Sequence, residues 1–259
     1  MYLASAMKSS TAALLLVAAC SVQAGEITVL PGSRLWTNPS TENSGGGRST
    51  ITSAMARDGN GSLALNGDRT RMIMGNQYSI FSYLGLFDQL TALTFDWAIA
   101  GASQAALDPD YTPALRVMIW DQGVRSELIW EGVYNGTYGN TARDTWYTSG
   151  VGDKFYRFAA GSGVTNDANN SQMNLSLADW KNTSYYSDSA YISAFSVGAG
   201  SSAGSGYRAF ADNVRIDLNG VSSTYNFEAS AAAVPEPASL GLLGIALIGA
   251  ALSRRRKTA

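Results

Sequence analysis

Short segments of alternating apolar and polar residues recur along this chain, and tight-turn residues separate them. Alternation places apolar side chains on one face of a strand and polar side chains on the other. The segments are residues 62–65, 93–97, 115–120, 191–197 and 213–218. Asn- and Gly-rich stretches at 58–61, 66–68, 135–136 and 219–220 supply the positive-φ positions that tight connections need. The pattern predicts an all-β fold, a single β-sandwich of jelly-roll type, with one helical turn near 175–180.

The side-chain inventory excludes several classes of enzyme. The 259 residues include no histidine and one cysteine, Cys20. Without histidine, the chain lacks His-based catalytic triads and most catalytic zinc sites. Cys20 falls within an apparent export signal, so we expect the mature protein to have no disulfide and no thiol nucleophile.

Residues 1–24 have the features of a secretory signal peptide. Lys8 precedes an apolar stretch at 12–19, and Val22-Gln23-Ala24 places small side chains before a cleavage position at Gly25. A second reading stays open, because Val17-Ala18-Ala19-Cys20 resembles a bacterial lipobox, in which the cysteine is lipidated before cleavage. Both readings predict an exported protein that uses signal peptidase and the secretion machinery.

Three features follow one another at residues 234–259. The motif Val234-Pro235-Glu236-Pro237 precedes an apolar stretch at 238–252, and Arg254, Arg255, Arg256 and Lys257 follow it. Fifteen helical residues span about 22 Å, less than the roughly 30 Å of a bilayer core. We therefore expect a short transmembrane helix whose basic end stays in the cytoplasm.

This arrangement resembles the PEP-CTERM proteins of Gram-negative bacteria. The resemblance implies recognition by an exosortase-type transpeptidase near Pro235, Glu236 and Pro237, removal of the helix, and release or attachment at the cell surface. It also implies transit through the inner membrane before the protein reaches the surface or the extracellular matrix. The two prolines hold Glu236 in an extended, accessible segment, which favours a processing site independently. The alternative is a C-terminal membrane anchor that is never cleaved.

The remaining residues divide into an ectodomain at 25–228 and an Ala/Ser linker at 229–233. Between residues 25 and 233 there are thirteen basic and nineteen acidic residues, so this part carries a net charge of about −6. Its basic residues are scattered among acids. We therefore expect no nucleic-acid binding, which requires a clustered basic surface.

The ectodomain also resembles concanavalin-like lectin sandwiches. The similar segments are 58–63, Asp-Gly-Asn-Gly-Ser-Leu, and 206–216, which contains Ala-Asp-Asn-Val-Arg-Ile. In that architecture the first and last strands pair side by side, and the resemblance implies a sandwich that often binds carbohydrate. Fold alone does not establish this function.

Aromatic residues mixed with Asn, Gly and Ser indicate a carbohydrate site. Sugars stack their C–H faces on aromatic rings while polar side chains bind their hydroxyls. The stretch 130–146 is the predicted ligand loop, whereas Trp97 and Trp120 are expected in the core because alternating apolar residues flank them. The predicted ligand-binding residues are Trp130, Tyr134, Asn135, Tyr138 and Trp146.

Glu127 and Glu131 lie on one face of a predicted strand, about 13 Å apart by backbone rise. The segment is similar to the Glu-x-Asp-x-Glu strand of laminarinase-like glycoside hydrolases, but Ile129 stands where the central acid would be. We therefore expect two solvent-facing acids, with Leu128 and Trp130 on the other face. The chain is predicted not to be an enzyme, and a glycoside hydrolase is the weakest of the alternatives.

A calcium ion is the one cofactor for which the sequence supplies candidate ligands. Asp58, Asn60 and Asp212 bring oxygen atoms together if the first and last strands are neighbours. No spacing matches a complete calcium loop, so ordinary Asx turns are the favoured interpretation.

Taken together, these features predict an exported envelope or matrix protein that is sorted through its C-terminal motif. Its ectodomain is a candidate for polysaccharide binding. A structural matrix protein without a ligand is the main alternative.

Overall fold

The computed structural model describes residues 25–106, 108–132, 134, 139–159, 163–164 and 174–231. Its strands, in chain order, are β1 (Gly25–Val29), β2 (Arg48–Thr52), β3 (Ser62–Asn66), β4 (Thr70–Gly75), β5 (Gly85–Leu86), β6 (Leu90–Ile99), β7 (Ala114–Asp121), β8 (Val124–Glu131), β9 (Tyr147–Thr148), β10 (Lys154–Ala159), β11 (Gly163–Val164), β12 (Leu175–Ser176), β13 (Tyr191–Ala199), β14 (Arg208–Leu218) and β15 (Val221–Phe227). One α-helix, α1 (Leu177–Lys181), and 3-10 turns at Ser40–Glu42 and Phe87–Gln89 complete the described structure.

The strands form two sheets. The first sheet contains seven strands in the order β1-β15-β14-β3-β2, with β6 on the other edge of β14 and β9 beyond it. The second contains eight strands in the order β11-β10-β8-β7-β13-β4, with β12 beside β10 and β5 beside β13. All pairs are antiparallel except β1 with β15. This arrangement confirms the predicted all-β sandwich.

One hydrophobic core fills the space between the sheets. The strands alternate as the sequence predicts, so β7 contributes Leu115, Val117 and Ile119, and β13 contributes Phe195 and Val197. Each of these side chains is fully buried. Burying a large apolar side chain contributes about 1.5–3 kcal/mol, so this layer is the main source of stability.

The two ends of the described chain lie side by side, as the lectin resemblance implies. β1 runs parallel to β15, and Gly25 aligns with Ser223. β3 pairs with the first half of β14, and Asn219 and Gly220 make the tight turn into β15 with φ of 55° and 75°. The expected turn chemistry is confirmed there.

The structure corrects one core assignment and confirms another. Trp97 is fully buried and stacks on Tyr147 with ring centroids 4.9 Å apart. Trp120, in contrast, is only partly buried. It shares strand parity with Arg116 and Met118, which places it on the outer face of the second sheet.

Several predicted features fall outside the described residues. They are the signal peptide at 1–24, the sorting motif and apolar stretch at 234–259, and part of the predicted linker at 229–233. Within the part of the chain that the structure describes, no helix combines the length and apolar character needed to cross a membrane.

Candidate ligand-binding site

The outer face of the second sheet carries a charged, tyrosine-rich cavity of about 500 Å³, which we call the trough. Strand β13 places Ala194, Ser196 and Gly198 on this face, opposite Met118, Arg116 and Ala114 of β7. Because these β13 side chains are small, longer side chains from neighbouring strands extend across them. The described residues that line the trough are Arg69, Arg71, Tyr78, Tyr111, Arg116, Arg125, Glu127, Ile129, Glu131, Tyr134, Tyr156, Phe158, Gly200 and Ser201.

Glu131, the last residue of β8, is held by three donors. Its Oε1 accepts hydrogen bonds from Tyr111 Oη at 3.1 Å and Arg116 Nη2 at 3.4 Å, and its Oε2 accepts one from Tyr156 Oη at 2.6 Å. Burial and the charge of Glu131 raise the pKa of both tyrosines, so both hydroxyls stay protonated and donate. The carboxylate is therefore fixed from three directions.

Glu127, four residues earlier on the same face, is surrounded by guanidinium groups. Its Oε1 lies 2.8 Å from Arg125 Nη1 and 3.3 Å from Arg71 Nη1, and its Oε2 lies 3.8 Å from Arg116 Nε. Burial alone raises the pKa of Glu127, but the three guanidinium charges outweigh burial and hold the pKa below its usual value. Glu127 is therefore ionised at neutral pH.

Glu42 approaches the trough from the loop before β2. Its Oε2 lies 3.1 Å from Arg69 Nη2 and 3.8 Å from Arg71 Nη1, and its side chain is 2% exposed. Burial, followed by repulsion from Arg116, lowers the pKa of Arg71. The trough thus packs like charges close together and balances them with a few buried carboxylates.

Two tyrosines mark the rim of the trough. Tyr78 is 58% exposed, and the guanidinium carbon of Arg125 lies 5.0 Å from its ring centroid. Tyr134 is partly buried, its backbone N–H donates to the carbonyl of Glu131, and its own carbonyl accepts from Asn174 Nδ2 at 3.2 Å. The rim therefore offers aromatic faces in fixed positions.

The structure brings only part of the predicted ligand loop to this site. Tyr134 lines the trough, whereas Asn135 and Tyr138 lie outside the described residues. Trp146 is partly exposed and precedes β9 of the first sheet, and it does not line the trough.

The structure corrects the prediction that Trp130 binds a ligand. It is fully buried between the sheets, where it packs edge-on against Phe95 with centroids 5.1 Å apart. Its indole N–H donates to Asp153 at 2.8 Å. Trp130 therefore stabilises the core and offers no face to a ligand from solvent, because strand parity points it away from Glu131.

The structure also corrects the prediction that Glu127 and Glu131 face solvent. They lie on the face opposite Leu128 and Trp130, as predicted, but they are 2% and 3% exposed and do not face solvent. Sequence reasoning missed Arg71, Arg116 and Arg125 as site residues. Charged residues inside otherwise apolar strands were the available signal, since they need partners when the face is covered.

The predicted calcium ligands are found near one another but bind protein groups. Asp58 Oδ2 accepts from Asn213 Nδ2 at 2.7 Å, and the Asn60 side chain bonds to the backbone of Ser230. Asp212 is fully buried, and its Oδ1 accepts from the backbone N–H groups of Asn213 and Phe227. Among the described residues there is no group of three or more His, Cys, Asp or Glu side chains placed to hold a metal ion.

Comparison with known proteins identifies the C-terminal segment. Residues 233–257 match the PEP-CTERM protein-sorting motif. A search of curated proteins found no significant match. The match confirms the resemblance recognised from Pro235, Glu236, Pro237 and the arginine cluster, and it implies exosortase-type sorting and export to the cell envelope.

Replacing Glu131 with Gln removes the nearer of the two carboxylates that compensate buried Arg116. We expect Glu131→Gln to lower the free energy of unfolding by on the order of 3 kcal/mol, because a buried guanidinium that loses a charged partner is costly. Tyr156→Phe removes one hydrogen bond to the same carboxylate and should cost about half as much. Urea unfolding of both variants checks this ranking, and an equal or smaller loss in Glu131→Gln would contradict the central role of the carboxylate.

Asp212 predicts a pH dependence of stability. Burial raises the pKa of its carboxyl to about 7, because its effect outweighs that of the two backbone N–H donors, which lower the pKa. The folded state therefore binds the proton more tightly than the unfolded chain does. The unfolded chain releases this proton near pH 4, so the free energy of unfolding should fall by on the order of 3 kcal/mol between about pH 4 and pH 7. Thermal unfolding in EDTA at pH 5 and pH 8 measures this loss, and Asp212→Asn should reduce it. Asp58→Asn is the matched control, and an equal pH dependence in all three proteins would refute the assignment.

Proposed function

We propose that the exported protein binds a polysaccharide of the cell surface or extracellular matrix in the trough, and that it does not cleave it. The observation that carries the proposal is an open, rigidly organised polar cavity with aromatic faces at its rim. Its volume of about 500 Å³ lies within the range of small-molecule binding sites, which is 300–1,000 Å³.

Preorganisation supports a binding role. The hydrogen bonds to Glu131 and the ion pairs of Glu127 hold the lining side chains in one arrangement before any ligand arrives. Binding then costs little side-chain entropy. Tyr78 supplies an exposed ring on which a sugar face can stack.

The same geometry argues for binding without hydrolysis. A glycosidase needs a carboxylic acid with a raised pKa to protonate the leaving oxygen. The pKa of Glu127 is lowered instead, because three guanidinium groups surround it. Glu131 accepts hydrogen bonds from three protein donors. We therefore place neither glutamate in a catalytic role.

Affinity electrophoresis of the exported protein through gels that contain a panel of bacterial polysaccharides tests the proposal. We expect at least one polysaccharide to retard the protein without being depolymerised. Tyr78→Ala should weaken that interaction about tenfold, because the ring lines the trough and a stacking contact is lost.

Tyr83→Ala is the matched control. Tyr83 lies in the same loop and is 60% exposed, but it does not line the trough. Its replacement should leave the affinity unchanged. Equal weakening of polysaccharide binding in both variants would place the binding site on the loop that carries Tyr78 and Tyr83, and not in the trough. If the protein releases reducing sugars and Glu127→Gln abolishes that release, the protein is a hydrolase. No retardation by any polysaccharide would favour a structural matrix protein.

A further inference from the structure

The trough carries a net positive charge, whereas residues 25–233 as a whole carry a net negative charge. Four guanidinium groups line it, from Arg69, Arg71, Arg116 and Arg125, whereas only two carboxylates do. Glu42 pairs with two of these arginines from outside the lining, which leaves a surplus of one positive charge. Residues 25–233 together carry a net charge of about −6, so this surplus is a local feature.

The carboxylates of the trough are already engaged by protein donors. Glu131 accepts from two tyrosine hydroxyls and a guanidinium. Glu127 Oε1 accepts from two arginines, and its Oε2 is buried and faces Arg116 Nε at 3.8 Å. Neither glutamate is therefore well placed to accept a hydrogen bond from a sugar hydroxyl.

The charged groups nearer to solvent are cationic. The side chains of Arg69, Arg71 and Arg125 are 32%, 13% and 11% exposed, compared with 2% for Glu127 and 3% for Glu131. A ligand that enters the trough thus meets N–H donors before it meets acceptors. Guanidinium groups bind planar carboxylates through paired, charge-assisted hydrogen bonds.

We propose that the trough selects acidic polysaccharides, and that Arg71 and Arg125 bind the carboxylate of a uronic acid residue. This inference rests on the proposed function and names its ligand class. The acidic remainder of the protein repels such a polymer, so attraction is concentrated at the trough. The interaction is partly exposed and should weaken as salt screens it.

Paired polymers that differ only in their carboxyl groups test the inference. The exported protein is titrated with polygalacturonate, alginate and hyaluronan, and with the carboxyl-reduced, neutral form of each. We expect at least one acidic polymer to bind tenfold or more tightly than its reduced form. This preference should shrink between 50 mM and 500 mM NaCl.

Single substitutions test whether the arginines of the trough cause the preference for acidic polymers. Arg71→Gln should reduce the acidic-to-neutral affinity ratio about tenfold, and Arg71→Lys should restore part of it. Arg48→Gln, an exposed position on β2 of the other sheet, should leave the ratio unchanged. Because Arg71 is largely buried, Arg125→Gln, at the other proposed carboxylate-binding residue, is the second variant and keeps the test valid if Arg71→Gln does not fold.

The outcomes separate the two proposals. Equal or tighter binding of the neutral polymers would overturn the acidic preference and leave polysaccharide binding intact. An acidic preference that survives both arginine variants would overturn its assignment to the trough. Failure of all of these polymers to bind would overturn this inference, whereas the proposed function would be overturned only if the wider panel of bacterial polysaccharides also gave no retardation.

Discussion

The buried guanidinium of Arg116 is the group on which the arrangement of the outer face depends. An unpaired charge in a protein interior costs several kcal/mol, so its partners must be placed accurately. Arg116 aligns with Ile129 on β8, which puts Glu127 and Glu131 at the two diagonal positions around it. Slipping this register by one residue would turn both glutamates into the apolar core. The ion pairs thus specify how β7 and β8 pair, and the trough follows from that pairing.

Tyr156 extends the same constraint to β10. It aligns with Ile129 and donates to Glu131 across the strand pair, while Tyr111 reaches the carboxylate from the loop before β7. Gly200 leaves the space that this contact needs, because a Cβ atom there would lie 2.4 Å from Tyr111 Oη. Core packing on one face and hydrogen bonding on the other therefore support a single strand order.

Alternation made the sandwich predictable from sequence. The segments at 115–120 and 191–197 fall within β7 and β13, and Asn219-Gly220 forms the expected turn. Alternation predicts which side chains share a face of the sheet, but it does not predict whether side chains from other strands cover that face. Alternation alone therefore predicts glutamates that face solvent, although Arg71 from β4, three strands along the second sheet from β8, contacts Glu127. Local composition places Trp130 in a ligand loop, whereas its strand parity with Leu128 predicts the core position that the structure shows.

Sorting to the envelope and the proposed ligand binding are supported by different kinds of observation. Sorting to the envelope follows from the motif at 233–257, a linear signal that sequence alone reveals. The proposed ligand site consists of side chains from β4, β7, β8 and β10 and of the rim residue Tyr78, which only the folded sheet brings together. A linear motif therefore locates the protein, and a three-dimensional charge pattern provides the basis for its proposed binding.

The most direct measurement is an NMR titration of the exported protein with an oligouronate, following the arginine Nε–Hε resonances. If the trough binds the carboxylate, the resonances of Arg71 and Arg125 shift in a saturable manner, while those of Arg48 and Arg215 on the first sheet do not. Saturable shifts at Arg48 or Arg215, with none at Arg71 and Arg125, would contradict the account.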